Sequence, residues 1–322
     1  HEFLSSSDAG TGPIDLAVDR VPGFDETVYA AFRRGYPAND YVVSRLDPQT
    51  QSWSPLVTIG AGAAEDVALA THDGVAHIFY PDGTTLYHRT SPDSALTWSD
   101  PVAIHSGSGA GRPTAVMCGD EPTVLVAFQT TVDGQADVVG RYSMDDGITW
   151  SSLEIAASTA SETWPMLSSA PGSDRVDAIY MTGDDQIMHT RATSEDLAAW
   201  EAPVSVITGG SVAAHRRRGL IQHPLVAPGA GIIWVDERDG DPSVWFDASW
   251  LGGELPTMWT TIPVGGTAGP ENTTGVAIRD FDLDGIPDLA WGGDGDTPTR
   301  AFRGGGDGVW TEWLADDLHP IR

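Results

Sequence analysis

The sequence contains no lysine, a single cysteine and no long apolar segment. Of its 322 residues 46 are acidic and 17 are basic, all of the latter arginine, so the formal charge is -29. A surface of that charge repels phosphate backbones, which argues against nucleic acid as a partner. The lone Cys118 excludes an intramolecular disulfide and a cysteine-built metal site. No segment approaches the roughly 18 apolar residues that span a bilayer, so membrane insertion is not expected.

The remaining composition indicates a folded extracellular protein. Hydrophobic residues make 40% of the chain, enough for a sizeable core. The abundance of Asp and the absence of Lys suit a secreted or periplasmic setting, and we expect a signal peptide to have been removed. We expect residues 1–11 to be an N-terminal extension or tag remnant, residues 318–322 to be a C-terminal tail, and the protein to be a monomer.

Tryptophans recur about every 50 residues along the chain, a period typical of β-propeller blades. Each follows a polar turn, and an arginine usually stands just upstream of that turn. The tryptophans are Trp53, Trp98, Trp150, Trp200, Trp259 and Trp310. The arginines are Arg45, Arg89, Arg141, Arg191 and Arg303.

Each repeat holds four strand-like segments separated by turn residues. In the third repeat they are Pro113–Gly119, Thr123–Thr130, Asp137–Ser143 and Ser152–Ala156. The second of these is a nearly continuous apolar run, as expected for a strand that is buried on both faces. The first repeat reads Ile14–Val18, Val28–Arg33, Tyr41–Leu46 and Leu56–Ile59, and the fourth reads Met166–Ala170, Val176–Met181, Gln186–Thr190 and Val204–Ile207.

Six such units predict an all-β fold, a six-bladed β-propeller of four-stranded antiparallel blades. We expect one domain over residues 12–317, with blades at about 12–60, 61–107, 108–158, 159–209, 210–266 and 267–317. The alternative is a pair of β-sandwiches, which would not place six tryptophans in register.

Two turns carry a resemblance to a known family. The segment Ser143–Trp150 resembles the Asp-box, S-x-D-x-G-x-T-W, of sialidase-like (BNR-repeat) propellers, and Ser91–Trp98 matches it except that Ala95 replaces the glycine. We call these two segments the Ser-x-Asp turns. In such a turn the Asp accepts backbone N–H bonds, Gly takes a positive φ and Trp packs between sheets. The resemblance implies a place between third and fourth strands, away from the active site, so we expect these residues and the repeated arginines to be structural.

A further motif in the last repeat, D-F-D-L-D-G-I-P-D, resembles the calcium loop of integrin-type (FG-GAP/VCBS-like) propeller repeats. Oxygen ligands at alternating positions converge on one hard cation, and Gly285 permits the sharp turn. Without a cation the carboxylates would repel one another. The ligands implied are Asp280, Asp282, Asp284 and Asp288 through their carboxylates, and Ile286 through its backbone carbonyl. We expect a structural calcium ion here; the alternative is a solvated acidic turn.

Alternating strand direction sorts the loops into two faces, and propellers bind ligands on the face that lies opposite the Ser-x-Asp turns. Hydrolysis of a glycosidic bond needs a protonated and an ionised carboxyl group about 5 to 10 Å apart. The catalytic candidates on that face are Asp40, Glu162, Asp236 and Glu237. The substrate-binding candidates are Arg33, Arg34, Tyr36, Arg112, Trp164, His215, Arg216, Arg217, Arg218 and Arg238.

The run from His215 to Arg218 places three consecutive arginines in a strongly acidic chain. Guanidinium groups bind carboxylates bidentately, so the run suits an anionic ligand such as a sialic or uronic acid. The alternative is that these arginines neutralise neighbouring carboxylates.

The sialidase resemblance also implies an arginine triad, an Asp acid/base and a late Tyr nucleophile. Arg34 and Asp40 stand where that family has its second Arg and its Asp. The first strand begins without an Arg, and the last tyrosine is Tyr180. These departures argue against a standard sialidase mechanism.

The sequence therefore predicts a carbohydrate-active propeller, similar to glycoside hydrolases, that acts on an anionic glycan (a sialoside or a uronate). Two alternatives remain open. The first is a non-catalytic, lectin-like propeller for glycan binding or adhesion, which the missing tyrosine favours. The second is a polysaccharide lyase, for which His215, His223, Tyr36 or Tyr80 would supply the base.

Overall fold

The structure is a computed structural model that describes part of the chain. The described residues are 15–19, 27–34, 38–47, 49–50, 52–62, 66–119, 122–169, 174–183, 186–206, 220–222, 230–236, 243–249, 262–263, 273–279, 288–293, 300–304 and 310–313. Side chains are described up to residue 206, except those of Leu16 and Val18, and beyond it for Phe302, Arg303 and Thr311. No helix in these ranges is long and apolar enough to cross a membrane.

The strands of the first half form three antiparallel sheets in chain order. The first sheet contains β1 (Asp15–Asp19), β2 (Thr27–Arg34), β3 (Asp40–Asp47), β4 (Ser52–Trp53) and β5 (Val57–Ala61). The second contains β6 (Ala68–His72), β7 (Val75–Asp82), β8 (Thr85–Ser91) and β9 (Val102–Ser106). The third contains β10 (Gly111–Cys118), β11 (Thr123–Val132), β12 (Gln135–Ser143) and β13 (Ser151–Ala156).

Three further four-stranded sheets follow. The fourth contains β14 (Glu162–Ser169), β15 (Arg175–Thr182), β16 (Ile187–Thr193) and β17 (Val204–Ser205). The fifth contains β18 (Leu220–Gln222), β19 (Ala230–Asp236), β20 (Ser243–Ser249) and β21 (Ile262–Pro263). The sixth contains β22 (Thr273–Arg279), β23 (Asp288–Gly293), β24 (Arg300–Gly304) and β25 (Trp310–Trp313).

The all-β class and the antiparallel four-stranded unit are thereby confirmed. The third repeat has its four strands where the sequence predicts them, and every observed strand end lies within two residues of the predicted one. The first repeat differs in its last segment, which divides into β4 and β5 along β3. Pro55 lies between the two pieces and has no N–H to give to the ladder, which accounts for the interruption.

The chain divides into two compact units. The first contains the first three sheets and residues 162–167 of β14. The second contains most of β15 and β16 and all of the fifth and sixth sheets. In the second unit β18 lies against β22.

In the first unit the opening strands of successive sheets lie side by side, β1 against β6 and β6 against β10. The Asp15 carboxylate accepts a hydrogen bond from the Leu69 N–H (2.7 Å), and the Thr114 hydroxyl accepts one from the Leu167 N–H (3.2 Å). Asp15 and Thr114 occupy equivalent positions, each opposite an alanine of the second strand. A repeated contact at one level therefore joins neighbouring opening strands.

Two apolar cores separate the three sheets of this unit. Residues of one strand alternate between its two sides, so β7 directs Ile78 and Tyr80 into the core shared with the first sheet. The intervening Phe79 enters the core shared with the third sheet, where it meets Val126 and Phe128. Each such side chain stabilises the fold by roughly 1.5–3 kcal/mol when fully buried.

The two Ser-x-Asp turns join the third and fourth strands of their sheets. Asp93 accepts hydrogen bonds from the backbone N–H (2.8 Å) and hydroxyl (2.6 Å) of Thr97, and Asp145 accepts the same pair from Thr149. The hydroxyl and backbone N–H of Thr97 lower the pKa of Asp93 to about 2. These carboxylates thus hold the turns together, as their sequence pattern predicts.

Two of the repeated arginines, Arg89 and Arg141, bind backbone carbonyls of the preceding sheet. Arg89 donates through Nη1 to the Ile59 carbonyl (2.5 Å), and Arg141 donates through Nε to the Ile104 carbonyl (3.2 Å). Ile59 lies in β5 and Ile104 in β9, each the last strand of its sheet. A guanidinium in this position links one sheet to the next, which is a structural role.

The second unit contains a buried ionic cluster in its first sheet. His189 Nε2 lies 2.6 Å from Asp177 Oδ1, and Arg191 donates through Nε to the same oxygen at 3.0 Å. All three side chains are nearly inaccessible to solvent. Buried charges persist when they are paired in this way, so Arg191 is also structural.

Candidate functional site

One end of the first unit's sheets gathers the residues that the sequence analysis assigns to ligand binding. At this end β2 passes into β3, β7 into β8 and β11 into β12, and here the opening strands β10 and β14 begin. The Ser-x-Asp turns lie at the other end of the same strands. We call the first of these ends the ligand face.

Arg112 and Trp164 form a stacked pair at the ligand face. The Arg112 Cζ lies over the Trp164 ring, 3.1 Å from its centroid. Arg112 follows the first residue of β10, and Trp164 is the third residue of β14. Guanidinium groups stack on indole rings through cation–π attraction, which fixes the direction in which the remaining N–H donors point.

Both residues of this pair have left-handed backbone conformations, with φ of 53° for Arg112 and 55° for Trp164. Large L-residues rarely adopt such angles because Cβ then crowds the backbone, at a cost of roughly 1–2 kcal/mol. Pro113 and Pro165 follow directly. The register of β10 against β11 shifts between Gly111 and Thr114, so Arg112 lies in a bulge. Bulges and strained angles of this kind concentrate at binding sites.

Glu162 is the buried carboxylate of the ligand face. It opens β14, two residues before Trp164, and is 1% exposed. Oε1 accepts hydrogen bonds from the hydroxyl and the backbone N–H of Ser158. Oε2 is buried and has no hydrogen-bond partner among the described residues. Gln129, which stands opposite Gly111, likewise has a buried Oε1 without such a partner. Buried polar atoms of this kind are normally satisfied, so each of these two oxygens requires a hydrogen-bond donor from outside the described residues.

Arg34 and Asp40 form a bidentate ion pair across β2 and β3. Arg34 Nε donates to Asp40 Oδ1 at 2.8 Å and Nη2 to Oδ2 at 2.5 Å, and the Thr58 hydroxyl donates to Oδ2 at 3.2 Å. The Arg34 guanidinium lowers the pKa of Asp40. Asp40 is therefore ionised near neutral pH, which suits a base or an electrostatic role and not a proton donor.

Arg33 is committed to the loop that follows its own strand. Its Nη2 donates to Asn39 Oδ1 at 2.8 Å and its Nε donates to the Gly62 carbonyl at 3.2 Å. These bonds join Asn39, the residue before β3, to Gly62, the residue after β5. Arg33 thus has a structural role beside the Arg34–Asp40 pair.

Several predicted residues lie outside the described part of the chain. For two of them the structure describes the backbone alone: Asp236 ends β19 opposite Ser243, and Asp288 begins β23. The others are Tyr36, His215, Arg216, Arg217, Arg218, Glu237, Arg238, Asp280, Asp282, Asp284 and Ile286. The structure thus brings together Arg34 with Asp40 and Arg112 with Trp164, and it does not describe the three-arginine run.

A second constellation, at the other end of the sheets, was missed by sequence reasoning. Three histidines, His72, His77 and His88, stand in a row on one face of the second sheet and meet Asp146 of the third sheet. The available signal was the strand alternation, which puts all three on the same face.

Comparison with solved structures identifies proteins of similar fold. An ulvan lyase of polysaccharide lyase family PL25 is 14% identical, with a TM-score of 0.62 over 92% of this chain and 81% of that chain. The Aleuria aurantia lectin, described as a six-bladed β-propeller with a novel mode of fucose recognition, is 10% identical, with a TM-score of 0.53 over 94% and 95% of the two chains. The leech intramolecular trans-sialidase is 11% identical, with a TM-score of 0.57 over 86% of this chain and 64% of that chain.

These identities are low, so the likeness concerns the fold alone. No protein-family model matches the chain, and no curated protein matches it significantly in sequence.

Proposed function

We propose that the chain is a secreted, monomeric six-bladed β-propeller that recognises an acidic glycan, either a uronate or a sialoside, at its ligand face. The observation that carries the proposal is the Arg112–Trp164 pair, two large side chains stacked on each other from strained backbone positions. Strain at two neighbouring points persists only where the surroundings enforce it, and such points cluster at ligand sites.

The chemistry of the pair fits an acidic sugar. A guanidinium presents a planar set of donors that matches a carboxylate, and stacking on the indole orients that set before the ligand arrives. Aromatic rings also pack against the apolar faces of sugars. The partnerless oxygens of Glu162 and Gln129 are acceptors for sugar hydroxyls, which completes a mixed polar and aromatic site.

The overall charge strengthens the selectivity of such a site. In a chain of charge -29 an anion is repelled from most of the surface. An arginine at the ligand face offers a local exception. We extend the proposal to the run Arg216–Arg218, which the sequence pattern assigns to ligand binding.

We propose that the reaction at this site is hydrolysis of the bound glycan. Its support is that the two described carboxylates of the ligand face differ in environment, because Asp40 is paired with a guanidinium whereas Glu162 is buried with one oxygen partnerless. Carboxyl groups whose environments differ in this way can divide the acid and base roles. Asp40 would then be the base, and Glu162 the second carboxyl group of the pair.

The test measures binding and turnover together. Polyuronates, sialosides and a neutral glycan are titrated by calorimetry, and the products are then analysed. We expect the acidic glycans to bind and the neutral one not to bind. New reducing ends would establish a hydrolase, unsaturated uronate absorbance a lyase, and binding without products a lectin.

Variants connect the result to the stacked pair. Arg112→Ala and Trp164→Ala should each weaken binding about tenfold or more. Arg112→Lys keeps the charge but loses the planar stack, so its affinity should lie between that of the parent and that of Arg112→Ala. Asp100→Ala, at an exposed residue of the first unit, is the control. Unchanged affinity in both alanine variants would refute the proposed site.

We also propose that the motif at residues 280–288 binds one structural calcium ion. Its support is that β22 ends at Arg279 and β23 begins at Asp288, with these two residues paired, so the motif is the connection between the first and second strands of the sixth sheet. Four Asp residues within nine positions of the sequence need a counter-charge.

A further inference from the structure

Three histidines form a stacked row between the second and third sheets, on the end that carries the Ser-x-Asp turns. The ring centroids of His72 and His77 are 5.7 Å apart, and those of His77 and His88 are 5.3 Å apart. His77 and His88 are buried. Neither the proposed glycan site nor the calcium loop uses any of them.

Strand register explains why the row exists. His72 ends β6 and is followed by the two-residue turn Asp73-Gly74, after which β7 returns antiparallel. His77 stands opposite Ala70, which shares a face with His72 because residues two apart point to the same side. By the same rule His88, opposite Phe79, lies on that face as well.

The third sheet contributes a carboxylate to the end of this row. Asp146 belongs to the second Ser-x-Asp turn, and its Oδ1 lies 2.9 Å from His72 Nε2. One ligand atom from each of His72, His77 and Asp146 lies within 4.8 Å of the other two. Two imidazoles and a carboxylate that converge in this way are a donor set for a transition-metal ion.

Two ring nitrogens of the cluster lack partners. His77 is 0% exposed, and its Nε2 has no hydrogen-bond partner among the described residues. The Nδ1 of His72 is also buried and has no hydrogen-bond partner among the described residues. One nitrogen of a neutral imidazole has no proton and carries a lone pair, which is costly to bury without a hydrogen-bond donor. A metal ion bound to His77 Nε2 would satisfy that nitrogen.

We propose that His72, His77 and Asp146 bind one zinc ion that links the second sheet to the third. Imidazole nitrogens favour zinc and its neighbours over calcium or magnesium. Zinc bonds of about 2.0–2.2 Å separate ligand atoms by roughly 3.4 Å, so the three side chains need to move inward by little more than about 1 Å. Water takes the fourth position, because the Asp146 side chain is 53% exposed.

His88 is the positioning residue of this site. His77 Nδ1 lies 3.1 Å from His88 Nε2, and both rings are buried. If His77 donates its Nδ1 proton to His88, its Nε2 is left as the ligand lone pair. Metal-binding histidines commonly have their other nitrogen fixed by such a hydrogen bond.

Asp146 is separable from the turn that contains it. The turn is held by Asp145, which accepts the bonds from Thr149, while Asp146 takes no part in those bonds. In the first Ser-x-Asp turn the corresponding residue is Ser94, which has no carboxylate. The carboxylate at this position therefore belongs to the interaction with His72 and is not required by the turn.

The test measures zinc uptake by the full chain in the His1→Ala background, with excess calcium present. The substitution removes chelation by an N-terminal histidine, and calcium fills the acidic motif at 280–288. We expect one zinc per chain by calorimetry and by metal analysis after dialysis. Cobalt in place of zinc should give the visible absorption of a four-coordinate nitrogen and oxygen site.

Variants decide whether the zinc is bound at this cluster. Asp146→Asn and His72→Gln should weaken zinc binding at least about tenfold, and His88→Phe should weaken it by about 10- to 100-fold. Asp100→Asn, at an exposed carboxylate, is the matched control and should bind like the parent. Absence of zinc uptake by the parent, or unchanged affinity in both ligand variants, would overturn the proposal. Because glycan binding is measured at the opposite end, failure of either site leaves the other standing.

Discussion

The guanidinium of Arg112 and the indole of Trp164 stack on each other, 3.1 Å from Cζ to ring centroid, although the two residues open different sheets. Their φ angles, 53° and 55°, are nearly the same. The same local strain at the start of β10 and of β14 thus points two side chains at each other. This relationship distinguishes the ligand face from the other end of the sheets, where the turns follow a regular pattern.

Glycine at position 164 should be less destabilising than alanine. Both Trp164→Gly and Trp164→Ala remove the stack, but only glycine adopts a φ of 55° without crowding. After allowance for the greater entropy of unfolded glycine, the Gly variant should be more stable by about 0.5–1 kcal/mol. Urea denaturation measures the difference. At Ser151, an exposed strand position, the control variant Ser151→Ala should instead be more stable than Ser151→Gly. If Trp164→Ala were more stable than Trp164→Gly, backbone strain at position 164 would be ruled out.

Gly147 and Ala95 occupy corresponding places in the two Ser-x-Asp turns and should respond differently to exchange. Gly147 has a φ of 83°, and an added Cβ would lie 2.3 Å from His88 Cε1. Gly147→Ala should therefore cost about 2–4 kcal/mol from strain and overpacking. Ala95 already has a φ of 64°. Ala95→Gly relieves the backbone strain but removes a buried methyl group, and the two effects oppose each other. The free energy of unfolding of this variant should therefore stay within about 1 kcal/mol of the parent's. Chemical denaturation compares them, and a fully stable Gly147→Ala protein would contradict the packing of this turn on His88.

Removal of calcium should lower the melting temperature. The carboxylates of residues 280–288 would then repel one another across the first connection of the sixth sheet. Calorimetric melting with and without excess chelator measures the change, and the Asp282→Asn and Asp284→Asn variants should melt early even with calcium. Magnesium should restore less stability than calcium, because it requires a stricter geometry. An unchanged melting curve with chelator would rule the ion out.

Acidification from pH 7 to pH 5 should destabilise the protein through its buried histidines. Burial lowers the pKa of His77 and of His88 to about 3, against about 6.5 in the unfolded chain. Between these values the unfolded chain binds more protons, so the stability is complete above about pH 6.5 and is lost progressively toward pH 3. Each histidine should cost about 2 kcal/mol by pH 5.

Denaturation at a series of pH values, with zinc withheld, tests this expectation. The pKa of His105 is also lowered, by burial and by Arg141, and adds to the slope. His88→Phe should remove a large share of the dependence between pH 7 and pH 5, whereas the carboxylates of the Ser-x-Asp turns titrate below that range. A slope that is the same in parent and variant would show that His88 is not the group responsible.

Much of the fold could be predicted because its signals are local. The strand pattern of the third repeat and the hydrogen bonds of both Ser-x-Asp turns follow from residues at most a few positions apart, such as Asp145 and Thr149. The division of the last strand of the first sheet could have been anticipated from Pro55. The sites were less predictable: Arg112 and Trp164 were each expected at the ligand face, but nothing in the sequence indicated that they stack.

The sequence by itself determined the all-β class, the four-stranded repeat and the structural role of its turn aspartates, because each depends on alternation or on turn chemistry within one repeat. Only the tertiary structure decided which repeats meet. His72 and Asp146 are 74 residues apart and lie 2.9 Å from each other because two sheets pack face to face. No local pattern encodes such a distance; it is set by the packing of Phe79 against Trp150 in the core between those sheets.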